Sequence, residues 1–300
     1  MNKTWQKAWV TVGGLALGLG LCVFLFLHVH LTTHDFAVAA QSFSIGPCLV
    51  VLFLTYLLML MGARKWALLS ASFHGAAGRE PSCGFFMRHT LWQNWIGQFV
   101  PPSVAIVAGR GLATRTMEGA SAKEGLWSGL WDQGMEFALL CGFLLGAFGV
   151  LGAGYGWAAF FALSALGLGL IAGGARVGRR WLPVALRPIL WPALGWSLAR
   201  VSLTILRLVA GIGATGALLS PLNVVVATPV TGLLALIPLT PGNLGLAEWG
   251  WQGVLAYAGE NPVQAALYPV AFRVLVFVAQ SLLLGGYEAF LFIINGKNKG

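Results

Sequence analysis

The chain has 300 residues, of which 58% are hydrophobic and 9% charged, with 18 Lys and Arg against 9 Asp and Glu. That composition leaves too little polar surface to cover a soluble core, so it excludes a water-soluble globular protein and points to one integral membrane domain over residues 1–300. The basic excess lies in short segments between apolar runs, as in cytoplasmic loops of membrane proteins, which argues against nucleic-acid binding.

Taken in chain order, Lys3 and Lys7 precede the apolar run Ala8–Leu31, a first span. It exceeds the roughly 7–15 residues of a signal-peptide core and is expected to be retained. His30–Ser44 holds no Lys or Arg and reads as an external loop; His28, His30 and His34 form a polar rim there, and with only Asp35 beside them they fall short of the about four ligands of a zinc site. A second span, Ile45–Ala63, leads to a loop marked as cytoplasmic by Arg64, Lys65, Arg79 and Arg88. Leu91–Ala108 is apolar but broken by Pro101-Pro102. Three spans follow, Gly125–Val150, Trp157–Gly174 and Ile189–Gly213, with Arg176, Arg179, Arg180 and Arg187 between the last two. Pro221–Ala258 is broken at Pro238-Leu239-Thr240-Pro241-Gly242-Asn243, and Gln264–Ile294 is the final span, running toward Lys297 and Lys299.

Proline removes a backbone donor and clashes with the preceding turn, and freed backbone groups cannot face lipid. The two broken segments are therefore expected to turn back as re-entrant hairpins. With that assumption every basic loop falls on one side, and both termini are cytoplasmic. The expected fold is an all-α polytopic membrane helix bundle of six full spans plus two re-entrant hairpins entering from opposite faces, in a bacterial cytoplasmic membrane. Hairpins meeting near the midplane are how many transporters build a substrate site.

Arg110, Asp132, Glu136, Arg200, Arg207, Glu248, Arg273 and Glu288 lie in or at the edge of apolar stretches. Such charges cost several kcal/mol in lipid unless they face protein or a wet cavity. Asp132 and Glu136 share one helix face and need a cation between them, from Arg200, Arg207 or Arg273. They read as a structural ion pair or as proton-carrying groups. Arg110 presents a fork suited to phosphate oxygens. Arg200 and Arg207, two turns apart, form either a path for an anionic headgroup or partners of the neighbouring carboxylates. Glu248 follows the second break, where it caps a helix, pairs with Arg273 or meets a substrate amine. Trp249 and Trp251 beside it are candidates to line a lipid path; most of the 13 Trp read as an interfacial belt, and the 41 Gly as close helix packing. Cys22, Cys48, Cys83 and Cys141 form no C-x-x-C pair, and no hydrolase, P-loop or zincin motif is present, so no metal, cofactor or catalytic residue is expected.

The run Asn94-Trp95-Ile96-Gly97-Gln98-Phe99-Val100-Pro101-Pro102-Ser103 followed by Gly109-Arg110, the pair Asp132-Gln133, the run Pro238 to Glu248, and Arg273 occur in an order that resembles the lysylphosphatidylglycerol synthase transmembrane-region, or flippase-like, family. Gln133 stands where that family has Arg, and Val104-Ala105-Ile106 replaces a Gly-Gly-Asp-like stretch. The resemblance implies a lipid flippase that moves an anionic phospholipid or polyprenyl-phosphate-linked headgroup between leaflets. It also implies Asn94 as a site residue, and a lipid-modifying enzyme as a candidate partner. A membrane-embedded enzyme acting on lipid headgroups, or a scaffold for one, is the alternative.

Overall fold

The computed structural model describes residues 3–74, 82–117, 120–153 and 156–297. Among them it contains eleven α-helices and no strand: α1 (Lys3–His28), α2 (Thr33–Gln41), α3 (Ile45–His74), α4 (Cys83–Ile96), α5 (Pro102–Thr114), α6 (Ala122–Ala153), α7 (Trp157–Gly178), α8 (Leu190–Thr215), α9 (Pro221–Ala235), α10 (Leu246–Tyr257) and α11 (Pro262–Lys297). Five of these, α3, α6, α7, α8 and α11, are long and apolar enough to cross a membrane, and α1 with α2 makes a sixth candidate bent by 97°. Arg79 falls outside the described residues.

Two sequence expectations change here. The segment His30–Ser44 is not a plain loop: α2 occupies most of it. Thr32 accepts from the Asp35 amide while the Asp35 carboxylate accepts from the Thr32 amide at 2.7 Å, a capping box that starts the helix. The second span also does not end at Ala63. Nothing between Ala63 and His74 breaks a helix, so α3 carries on through Arg64 and Lys65, and the latter is fully buried.

Hydrogen bonds between elements identify the two ends of the bundle. At one end, the Ser44 amide at the start of α3 bonds to the Ala214 carbonyl at the end of α8, and the Glu260 carboxylate accepts from the Ser220 amide and the Asn223 side chain, tying the end of α10 to the start of α9. This is the α2 face. At the opposite end, Tyr287 of α11 bonds to the Gly84 carbonyl at the start of α4, and Arg88 and Trp92 of α4 reach Glu288 at 2.8–2.9 Å. This is the Glu288 face.

Both proline-broken segments turn back on themselves, since α4 packs on α5 and α9 packs on α10. Pro102 sits in the first turn of α5, where a missing N–H costs nothing. The first hairpin enters from the Glu288 face and the second from the α2 face, as expected. Their tips meet in the interior, where Gly242 touches Gln98. Gly242 has φ +57°, and a Cβ there would run into the Gln98 carbonyl oxygen. Elsewhere, Gly142 and Gly167 let α6 and α7 approach backbone to backbone.

The hairpin contact generates a test. Gly242→Ala combines a left-handed backbone, costing roughly 1–2 kcal/mol, with a collision against Gln98. It is expected to lower the thermal unfolding midpoint in detergent by several degrees, whereas Gly253→Ala, which meets no neighbouring atom, leaves it unchanged.

Candidate functional site

The ionised side chains separate into two groups stacked along α8. Arg200 belongs to the first and Arg207 to the second, about 10 Å apart at the helical rise of ~1.5 Å per residue.

The first group is a closed knot centred on Asp132, which is fully buried on α6. Its Oδ1 pairs with Lys65 Nζ of α3 and its Oδ2 with Arg110 Nη2 of α5. Arg200 Nη1 of α8 lies 2.5 Å from Glu136 Oε1 and 3.6 Å from Asp132 Oδ1. Lys65 Nζ also sits 3.8 Å from Glu136 Oε1 and donates to the Asp132 carbonyl at 3.3 Å. Arg110 donates to the Ser128 carbonyl at 3.2 Å and lies 5.3 Å from the centre of the Trp66 ring. Three cations thus share two carboxylates, and four helices are tied together. The cation required between Asp132 and Glu136 is present as Lys65 and Arg200. Both Arg110 and Arg200 are committed to this knot.

The second group lines an open cavity of about 280 Å³ bordered by both hairpin tips, α8, α9, α10 and α11. Glu248, 1% exposed, accepts from the Gly245 amide at 2.7 Å as the third residue of α10, and pairs with Arg273 at 2.7 Å. Arg273 also donates to the Gly242 carbonyl at 2.6 Å and the Asn243 carbonyl at 3.4 Å. Glu248 is therefore both a helix cap and the Arg273 partner, and together they hold the second tip in its shape. Asn243, with φ +56°, donates to the Ala235 carbonyl at 2.7 Å while its buried side-chain oxygen has no partner.

Arg207 differs from every other arginine near the bundle centre. Arg207 lines the cavity; its guanidinium lies 5.7 Å from the centre of the Phe272 ring and makes one long bond of 3.4 Å to Thr55 Oγ1. No carboxylate pairs with it among the described residues. With Arg207 and Arg273 facing Glu248, the cavity carries one uncompensated positive charge.

Asn94 donates to the Thr90 carbonyl of its own helix at 2.9 Å and does not line the cavity. The first hairpin contributes Gln98 instead, braced by a 3.0 Å bond to Gln280 of α11. Trp251 lines the cavity, whereas Trp249 bonds to the Leu21 carbonyl of α1. Glu288 belongs to the anchor at the Glu288 face. Sequence reasoning missed Lys65, Gln98 and Thr55. For Lys65 a signal existed: an unbroken helical run and two carboxylates short of a cation.

No protein-family model, curated protein or solved structure matches the chain. The geometry therefore carries the functional argument.

Asp132→Asn would leave three cations with one carboxylate. Removing one partner of a buried ion network costs about 3–5 kcal/mol, so the variant should unfold at a clearly lower temperature or denaturant concentration. Glu288→Gln, at the partly exposed anchor, should cost no more than about 1 kcal/mol in the same measurement.

Proposed function

We propose that this multi-pass membrane protein is a transporter that moves a lipid bearing an anionic, phosphate-containing headgroup between leaflets, the headgroup passing through the cavity while its tails stay in the bilayer. The observation that carries this reading is Arg207: an arginine inside a membrane bundle that lines a cavity and has no carboxylate partner among the described residues. A charge at that depth is expensive unless compensated, and an anion entering the cavity compensates it. Arg273 adds a second cation already fixed against the tip.

The dimensions agree. About 280 Å³ is roughly nine times a water's ~30 Å³ share of liquid, room for a phosphate with a small substituent. The knot around Asp132 serves as the rigid wall against which the first hairpin is held. With basic loops inside, the Glu288 face is cytoplasmic and the α2 face external in a bacterial inner membrane. The motif order that resembles the flippase-like family agrees with this reading.

The test is a leaflet-exchange assay in proteoliposomes with head-labelled phosphatidylglycerol, phosphatidylcholine and a polyprenyl phosphate, read as reagent-accessible fluorescence. Wild-type protein should move an anionic lipid faster than phosphatidylcholine. Arg207→Gln should slow that exchange at least about tenfold, the loss of ~1.4 kcal/mol expected for a charge-assisted contact, with an unchanged unfolding midpoint. Exchange at the wild-type rate in Arg207→Gln removes the reading.

A further inference from the structure

A second cavity, also about 280 Å³, lies at the α2 face, between α2, the end of α8 and the start of α11. It is formed by His34 and Asp35 of α2, Thr215 of α8, and Gln264, Leu267 and Ala271 of α11, among others. The central cavity uses the same two long helices one to two turns further in, through Arg207 on α8 and Phe272 and Arg273 on α11. One residue lines both: Tyr268.

Tyr268 is 1% exposed and borders both cavities. Its hydroxyl donates to the Leu208 carbonyl of α8 at 2.5 Å, next to Arg207. Its ring stacks on Phe272 at 5.8 Å between centres and meets Trp251 edge-on at 5.8 Å. Gly211 of α8 makes room for this aromatic pair, since a Cβ there would collide with the Phe272 ring. The next residue, Pro269, lies inside α11 and cannot donate to the carbonyl one turn back. The first turns of α11 therefore lack one helical hydrogen bond next to Tyr268.

The charges of the two cavities differ in a directed way. The central one holds Arg207 and Arg273. The outer one is lined by Asp35 and by neither Lys nor Arg among the described residues. An anion bound centrally meets neither Lys nor Arg once it reaches the outer cavity.

We infer that the outer cavity is the second station of one path, reached from the central cavity when the Tyr268 side chain swings aside about Pro269. What travels along this path rests on the transport reading above; the existence of the gate does not, and the experiment keeps the two apart because it needs no lipid movement.

The experiment uses the full chain with Cys22, Cys48, Cys83 and Cys141 replaced by alanine, in proteoliposomes. Ala271→Cys reports on the outer cavity and Thr228→Cys on the central one. A membrane-impermeant thiol reagent is added on the side that labels Ala271→Cys. In this background Thr228→Cys should react slowly, and adding Tyr268→Ala should speed it at least about tenfold, while the Ala271→Cys rate stays within about twofold. An unchanged Thr228→Cys rate overturns the gate. Should Tyr268→Ala not run as a single monodisperse species, Tyr268→Phe decides in its place. It keeps the ring and loses the bond to Leu208, so the rate should rise about threefold, and an unchanged rate again overturns the gate.

Discussion

The pairing of Asp132 with Lys65 and Arg110 is the interaction on which the rest depends. A carboxylate with no exposed surface, about a third of the way along a long apolar helix, is tolerable only because two cations reach it from two other helices. That requirement fixes the placement of α3, α5 and α6 relative to one another, and Arg200 adds α8 through Glu136. Because Arg110 belongs to α5, the same knot also holds the returning arm of the first hairpin. The hairpin tip is therefore presented to the bundle interior by a network that has no spare carboxylate to offer elsewhere.

The second tip is held by a smaller version of the same logic. Glu248 caps its helix and neutralises Arg273, which in turn satisfies two tip carbonyls that would otherwise face an apolar interior. Irregular backbone at this depth needs such partners. Gly242 allows the two tips to touch, and the space left around their contact is the central cavity. Arg110, Arg200 and Arg273 each have a carboxylate partner, and Arg207 has none among the described residues. In the transport reading the missing partner is the cargo.

Much of this was legible in the chain. Pro101-Pro102 and Pro238 to Asn243 interrupt apolar runs with residues that cannot continue a helix, and the structure turns at both places. Asp132 and Glu136 four residues apart had to share a face, and they do. What spacing on one helix cannot say is which other helix supplies the partner. Arg110 looked like a phosphate ligand and is instead bound to Asp132; Arg200 and Arg207 looked equivalent and have opposite fates. Lys65 was hidden by its neighbour Arg64, since basic pairs usually mark a loop, yet no breaker ends α3 there. The helix in His30–Ser44 was signalled by Thr32 and Asp35 at capping-box spacing, but its polar flanks resembled a loop.

In the transport reading, the cavity between the hairpin tips receives an anionic headgroup at Arg207. Electron cryo-microscopy of the protein in nanodiscs made with phosphatidylglycerol tests it most directly. Headgroup density is expected inside the cavity, within hydrogen-bonding reach of the Arg207 guanidinium and beside Gln98 and Gly242, with its tails leading out into the bilayer. Headgroup density confined to the bilayer surfaces, with the cavity holding only water or acyl chain, would contradict it.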